Sequence, residues 1–300
     1  MRVFLTGATG FIGSKIVPEL INAGHEVLGL TRSDDGAAAL VRAGAEVYRG
    51  SLEDPQTLAR GASQADAVIH TAFDHDFTNF VANCEKDRRV IEAIGAALAG
   101  SNKPFLITSG SGMGSGAPGE PALERQFDRN NPNPRKLSEL AGEAVAAGGV
   151  SLAVVRLPQV HDTQKQGLIS PMIEIARARG FAAYVGDGME RWAASHVSDV
   201  ARLYRLALEK HEPGARYHAV AEEGVSIRQV AEAVGLGLGI PVRSLSLEQV
   251  ADYYGPFAHF ATLDMPASSE WTRNTLGWNP TGPSLLADLQ HMNYNAAAAY

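Results

Sequence analysis

The stretch Thr6-Gly7-Ala8-Thr9-Gly10-Phe11-Ile12-Gly13 follows directly on the short apolar run Val3 to Leu5 and opens onto a segment of helical character. No other feature of the chain restricts its fold so strongly. Gly7 permits a tight turn, Gly10 removes the Cβ that would keep a ligand off the backbone, and Gly13 lets the new helix pack closely on the strand. The first amides of that helix, with the positive end of its dipole, then offer a site for a diphosphate. A second apolar run at Glu26 to Leu30 completes a βαβ unit, the context that separates such a site from a merely tight turn.

The same rhythm continues to about residue 160. Glu46 to Tyr48, Ala67 to His70, Pro104 to Thr108 and Leu152 to Arg156 read as further short strands. Phe11 to Ala23, Gly36 to Ala43, Pro55 to Gly61, Asn79 to Ala99 and Leu137 to Ala147 are long enough for crossover helices. Alternation at this spacing predicts an α/β fold, a doubly wound Rossmann-type parallel sheet covered on both faces. Beyond Arg156 the rhythm loosens. Helices are expected at Pro171 to Arg179, Val197 to Glu209, Ile227 to Leu238, Leu247 to Tyr253 and Ser284 to Leu289, with strands at Arg216 to Val220 and around Val242. The expected organisation is a dinucleotide-binding domain of residues 1–160 plus about 192–222, a smaller C-terminal α/β substrate lobe of about 161–191 plus 223–290, and a tail at 291–300.

Composition narrows the partners. Lys plus Arg number 26 against 33 Asp plus Glu, a formal net charge of −7, and no basic run is present, so nucleic acid and anionic lipid are not expected to bind. Apolar residues make up 45% and charged residues 20%, the balance of a packed protein. The single Cys84 has no partner for an intrachain disulfide and reads as a buried thiol. MRVFLTGATG has neither a charged leader nor a long apolar stretch, and no run approaches the roughly 20 apolar residues of a membrane span. A soluble, cytoplasmic protein is expected, with a homodimer left open.

The spacing G-x-x-G-x-x-G after Thr resembles the short-chain dehydrogenase/reductase superfamily, and TGATGFIG resembles its extended and atypical branch, the NAD(P)-dependent epimerase/dehydratase-like proteins. Further segments are similar in the expected order. They are His70-Thr71-Ala72, Arg156-Leu157-Pro158-Gln159-Val160-His161, Gly186 to Arg191 with His196-Val197-Ser198-Asp199, and Leu276-Gly277-Trp278-Asn279-Pro280. The resemblance implies a nicotinamide dinucleotide held by Gly7, Thr9, Gly10, Phe11, Ile12 and Gly13. Thr71, Ala72, Phe73 and Thr108 would lie beside it, and Pro158 and Val160 would pass the nicotinamide. Relatives that prefer NAD place an acid after the second strand, whereas Thr31-Arg32-Ser33 has none before Asp34. Arg32 can fork onto a 2′-phosphate and Ser33 can donate to it, so NADP(H) is the expected cofactor, a solvated Arg32 being the alternative. Near the adenine, Ser51 and Leu52 stand where relatives carry an acid.

The catalytic Tyr-x-x-x-Lys pair of the superfamily is absent as written. Set over it, Arg135 takes the Tyr position and Glu139 the Lys position, and a guanidinium cannot relay a proton as a phenol does. Gly110 falls nearest the usual Ser, with Ser109 and Ser111 on either side as carbonyl-orienting candidates or as a plain turn. His161 and Lys136 are candidate proton donors, read alternatively as a pocket-wall histidine and a surface lysine. Asp74 and His75, with Asp76, sit in a loop at the carboxyl end of the sheet where a substrate binds, or are solvated loop residues. Arg191 and Trp192 are substrate candidates, and Tyr253, Tyr254, Phe257, His259 and Phe260 suggest an aromatic wall that core packing explains equally well. No metal site is expected. The leading expectation is an NADP(H)-dependent oxidoreductase acting on a small carbonyl or alcohol. The alternatives are a non-enzymatic NADP(H) sensor and an epimerase or dehydratase.

Overall fold

The structure is a computed structural model, and it describes residues 1–294; the part of the expected tail at 295–300 lies outside the described residues. The strands are β1 (Arg2–Thr6), β2 (Glu26–Thr31), β3 (Glu46–Arg49), β4 (Ala67–His70), β5 (Phe105–Gly110), β6 (Leu152–Leu157), β7 (Gln159–His161), β8 (Ala182–Val185), β9 (Arg191–His196), β10 (Arg216–His218), β11 (Glu222–Ser226) and β12 (Val242–Leu245). The helices are α1 (Gly13–Asn22), α2 (Asp34–Arg42), α3 (Pro55–Ser63), α4 (Phe80–Leu98), α5 (Lys136–Ala147), α6 (Ile169–Arg179), α7 (Val197–Glu209), α8 (Ile227–Leu238), α9 (Leu247–Tyr254), α10 (Ala258–Ala261), α11 (Glu270–Leu276) and α12 (Leu285–His291).

A seven-stranded sheet in the order β10-β6-β5-β4-β1-β2-β3, parallel throughout, forms the body of the molecule. Strand alternation builds a core on each face. Val3 and Leu5 point to one side with Ile16, Leu20, Leu203 and Tyr204 of α1 and α7. Phe4 points to the other with Leu58, Val90, Ile94 and Ala141 of α3, α4 and α5. The chain runs outward from β1 through β2 to β3, and outward the other way from β4 to β6. The carboxyl ends of β1 and β4 therefore meet at the reversal point where doubly wound sheets bind ligands.

A third core gathers Ile169, Ile173, Trp192, Val230, Tyr254 and Leu289 between α6, α8, α9 and α12 and two small sheets, β11-β9-β7 and β12-β8. Strands β7, β8, β9 and β11 and helix α11 are absent from the sequence reading. Tyr253, Tyr254 and Trp192 belong to this core, at 5%, 3% and 1% exposed, so two members of the expected aromatic wall and one substrate candidate fill an interior. Among the described residues no helix is long and apolar enough to cross a membrane.

Candidate functional site

Backbone, more than side chains, shapes the turn after β1. Gly7 has φ +69°, and a Cβ there would lie 2.7 Å from Thr71 Oγ1 and 2.8 Å from the Ala72 amide nitrogen. A Cβ on Gly13 would collide with the Gly7 carbonyl oxygen. Gly10 donates to that carbonyl at 2.9 Å, and a Cβ on Gly10 would press on the same oxygen at 3.2 Å. The amides of Thr9, Phe11 and Ile12 have no hydrogen-bond partner among the described residues, and no acid stands in the first turn of α1. These exposed donors at a helix start fit a diphosphate.

The floor of the cleft is tied together through Thr6. Its carbonyl accepts from Thr71 Oγ1 at 2.8 Å, and its hydroxyl lies 3.2 Å from the Ala72 amide and 2.6 Å from His70 Nδ1. At the end of β2, Thr31 is buried, Ser33 caps α2 by accepting from the Gly36 amide at 3.1 Å, and exposed Arg32 has no ion-pair partner among the described residues. Ser51 sits in the following loop, where its hydroxyl accepts from Glu53 N at 3.3 Å, and Leu52 packs beneath it against the α3 face. Thr108, at the end of β5, lies with Oγ1 2.7 Å from the His70 carbonyl and 2.6 Å from Tyr204 Oη. Val160 is buried, and Pro158 links β6 to β7.

Arg135 and Glu139, which the resemblance sets over the superfamily's Tyr and Lys, are both held in ion pairs. Arg135 immediately precedes α5 and donates from Nη1 to Asp87 Oδ2 at 2.6 Å and to Ser138 Oγ, and from Nη2 to the Thr108 carbonyl at 3.0 Å. Its guanidinium lies 4.1 Å from the centre of the Phe73 ring. Asp87, on α4, also accepts from Ser138 Oγ at 2.5 Å and bonds His70 Nε2 at 2.9 Å, so a buried polar chain runs from Thr6 in the turn to Arg135. Burial alone would raise the Asp87 pKa. The Arg135 charge and the His70 and Ser138 hydrogen bonds outweigh it and hold the carboxylate well below its usual range. Glu139, one turn into α5, is fully buried and takes Arg156 on both oxygens at 2.8 Å, with Arg216 added at 3.0 Å. Arg156 also donates to His218 Nε2 at 3.1 Å, and burial together with the Arg156 charge drives the His218 pKa down to about 3.

Gly110, which the resemblance sets nearest the superfamily's Ser, offers no hydroxyl, and a Cβ there would meet nothing within 4 Å. Ser109 and Ser111 flank it, both buried, and Ser109 Oγ has no partner among the described residues. Lys136 opens α5, its ammonium free of any ion pair among the described residues. His161 is fully buried, with Nδ1 2.7 Å from Asp288 Oδ2 and its ring 5.8 Å from that of His196, so it faces α12 and β9. Burial lowers its pKa, only partly offset by Asp288. It presents no open edge to a cleft.

Asp74 is a staple, lying 3.1 Å from Lys86 Nζ and accepting from the Asp76 amide at 3.2 Å. His75 keeps an exposed edge near Phe73, their rings 5.2 Å apart. The protein packed around it, and then the charges of Arg135 and Lys165, lower its pKa. Arg191 is held by Asp264 at 2.7 Å and by the Gly119 carbonyl at 2.9 Å, and Trp192 Nε1 donates to the Leu263 carbonyl at 3.0 Å inside the third core. Neither is aimed at the turn.

Sequence reasoning missed Asp87 and Lys165, and it named His70 only as part of a strand end, not as a link to Asp87. The Lys165 Nζ lies 5.9 Å from the Phe11 ring of the glycine turn, and the lysine's backbone is pinned by Asp162 Oδ1, which accepts from its amide at 2.8 Å. Asn83, given no role from sequence, donates to the Asp76 carbonyl at 2.9 Å and holds the same loop.

The model of the NAD dependent epimerase/dehydratase family matches residues 3–221. An uncharacterised protein of Schizosaccharomyces pombe is 45% identical over 96% of this chain and 98% of its own. A UDP-glucose 4-epimerase of Streptomyces lividans is 29% identical over 95% of this chain and 93% of its own. Among solved structures, the Thermus thermophilus UDP-glucose 4-epimerase in complex with NAD superposes with a TM-score of 0.75 at 21% identity, covering 99% of this chain and 100% of that one.

Proposed function

The chain belongs to the NAD-dependent epimerase/dehydratase family, and from that premise we propose that it is an NADP(H)-dependent oxidoreductase moving a hydride between nicotinamide and a small carbonyl or alcohol carbon. One observation supports the choice within the family: beside an open diphosphate cradle, Arg135 and Glu139, the residues that the resemblance sets over the Tyr and Lys, are both committed to ion pairs. Epimerisation must oxidise and then reduce one carbon, taking and returning a proton at the same oxygen. A one-way hydride transfer asks only that the oxygen be held and its charge stabilised.

In this reading the amides of Thr9, Phe11 and Ile12 hold the diphosphate, and Gly7, Gly10 and Gly13 keep the backbone close to it. Arg32 and Ser33 take the 2′-phosphate, Ser51 and Leu52 lie at the adenine, Thr71, Ala72 and Phe73 cover the diphosphate, and Pro158 and Val160 line the nicotinamide's path. When bound, the nicotinamide supplies or accepts the hydride. Ser109 and Ser111 stand at the strand end where a carbonyl would rest. Lys136 and His75 are the titratable groups on that side, while His161 and Trp192 support the third core. The similarity to the Streptomyces epimerase favours, as a second reading, epimerisation of a nucleotide sugar. Arg191, clamped by Asp264, gives a sugar diphosphate little purchase.

The test is NADPH oxidation over a panel of aldehydes and ketones, with dissociation constants of NADPH and NADH for the wild type and Arg32→Ala. Turnover is expected, with NADPH bound roughly tenfold or more tightly than NADH and that preference lost in the variant. Equal affinities in the wild type sink the NADP(H) assignment. Tight NADPH binding with no turnover of any carbonyl replaces the reductase with the sensor.

A further inference from the structure

We propose that Arg135 is a catalytic residue: its guanidinium holds the reacting oxygen as negative charge develops there. This rests on the oxidoreductase reading. Arg135 stands at the right end of the sheet, since Nη2 reaches the Thr108 carbonyl at the end of β5 and the guanidinium stacks on Phe73 in the loop after β4. It is also held still. Asp87 and Ser138 occupy Nη1, and Asp87 is itself fixed through His70 to Thr6 of the glycine turn.

A guanidinium carries five N–H donors in a fixed plane. Nη1 spends its donors on Asp87 and Ser138, and Nη2 spends one on Thr108. The Nε–H and the second Nη2–H have no partner among the described residues. Neither nitrogen is a buried unpaired atom, and the side chain is 14% exposed. Two donors of a rigid cation thus remain open at a strand end where Gly110 contributes no side chain and leaves free space. Asp87 neutralises Arg135 from behind, where it does not compete for those donors.

The step is balanced without a proton from Arg135. Hydride from NADPH forms the new C–H bond, the carbonyl π pair moves to oxygen, and the alkoxide rests on the guanidinium until it takes a proton from water, leaving hydroxide. NADPH is thereby oxidised to NADP+ as the carbonyl is reduced. A permanent cation preorganised beside the developing charge does by electrostatics what a phenol does by proton transfer.

The experiment compares the wild type, Arg135→Met, Arg135→Lys and Asp87→Asn/Arg135→Met, the last removing the carboxylate that the single variant strands. Four readouts are taken: kcat on the best carbonyl of the panel, the NADPH dissociation constant by fluorescence, calorimetric binding of acetate to the NADP+ complex, and rescue by methylguanidine. In Arg135→Met and the double variant, kcat is expected to fall about 10²–10³-fold with NADPH affinity unchanged. Acetate binding is lost, methylguanidine restores part of the rate, and Arg135→Lys falls between. A folded double variant that keeps kcat within about threefold of wild type overturns the proposal. If the wild type turns over no carbonyl, the oxidoreductase reading fails by itself and acetate decides. Binding that depends on Arg135 keeps the oxygen-holding role, and binding that is absent or indifferent to the substitution ends it.

Discussion

The turn after β1 and the start of α5 lie at the same end of the sheet and treat their polar groups in opposite ways. In the turn, backbone amides stand without partners and no side chain crowds them. At the start of α5 nearly every polar atom is engaged: Arg135 with Asp87, Ser138 and Thr108, and Glu139 with Arg156 and Arg216. Unpaired donors that remain reachable mark where a ligand is to arrive. Saturated, buried pairs mark where the fold holds itself together, and the two open donors of Arg135 are the exception that gives the second region a chemical role.

The largest effect that would sharpen this contrast is at Glu139. Glu139→Gln strands the fully buried Arg156 charge and should cost about 3–5 kcal/mol in urea unfolding, while NADPH affinity stays near wild type. Glu139→Leu combined with Arg156→Met should recover most of the loss. If Glu139→Gln instead weakens cofactor binding and spares stability, the division between the two regions breaks.

Gly13→Ala tests the other side. The new methyl group collides with the Gly7 carbonyl, so NADPH affinity should drop about 100-fold with a smaller change in melting temperature. Retention of wild-type affinity would show that the cradle is not built as described.

The smallest effect is a pH slope. The folded pKa of His218, at about 3, lies below its ordinary 6.5. Below pH 6.5 the unfolded chain takes up a proton that the folded one refuses, so stability is full above that pH and falls as the pH drops toward 3. The slope should be about 1 kcal/mol per pH unit in urea midpoints and flatten in His218→Gln. Asp87, held below its ordinary 3.8, adds to the loss only beneath that value.

How far sequence reasoning reached follows the same division. The central sheet was legible because apolar runs alternate with crossover helices at fixed spacing, and α7 and α8 fall at Val197–Glu209 and Ile227–Leu238 as read. Strands β7, β8, β9 and β11 were not. Ala182–Val185 and Arg191–His196 mix strand formers such as Tyr184, Val185 and Trp192 with Ala, Ser and Arg in no alternating pattern, and are strands because a distant partner pairs with them. The glycine turn was legible because local backbone chemistry defines it. The Asp87–Arg135 and Arg191–Asp264 pairs join residues 48 and 73 positions apart, and nothing local in the sequence announces such meetings.

The buried chain from Thr6 through His70 and Asp87 to Arg135 also constrains how this site changes over generations. Exchanging Arg135 for an uncharged side chain leaves buried Asp87 with its His70 and Ser138 hydrogen bonds but without the guanidinium that neutralises it, a state costing several kcal/mol before any benefit appears. The passable route neutralises position 87 first and only then rewrites position 135. A lineage that has installed this pair is held to its own chemistry by the order in which the two mutations must occur.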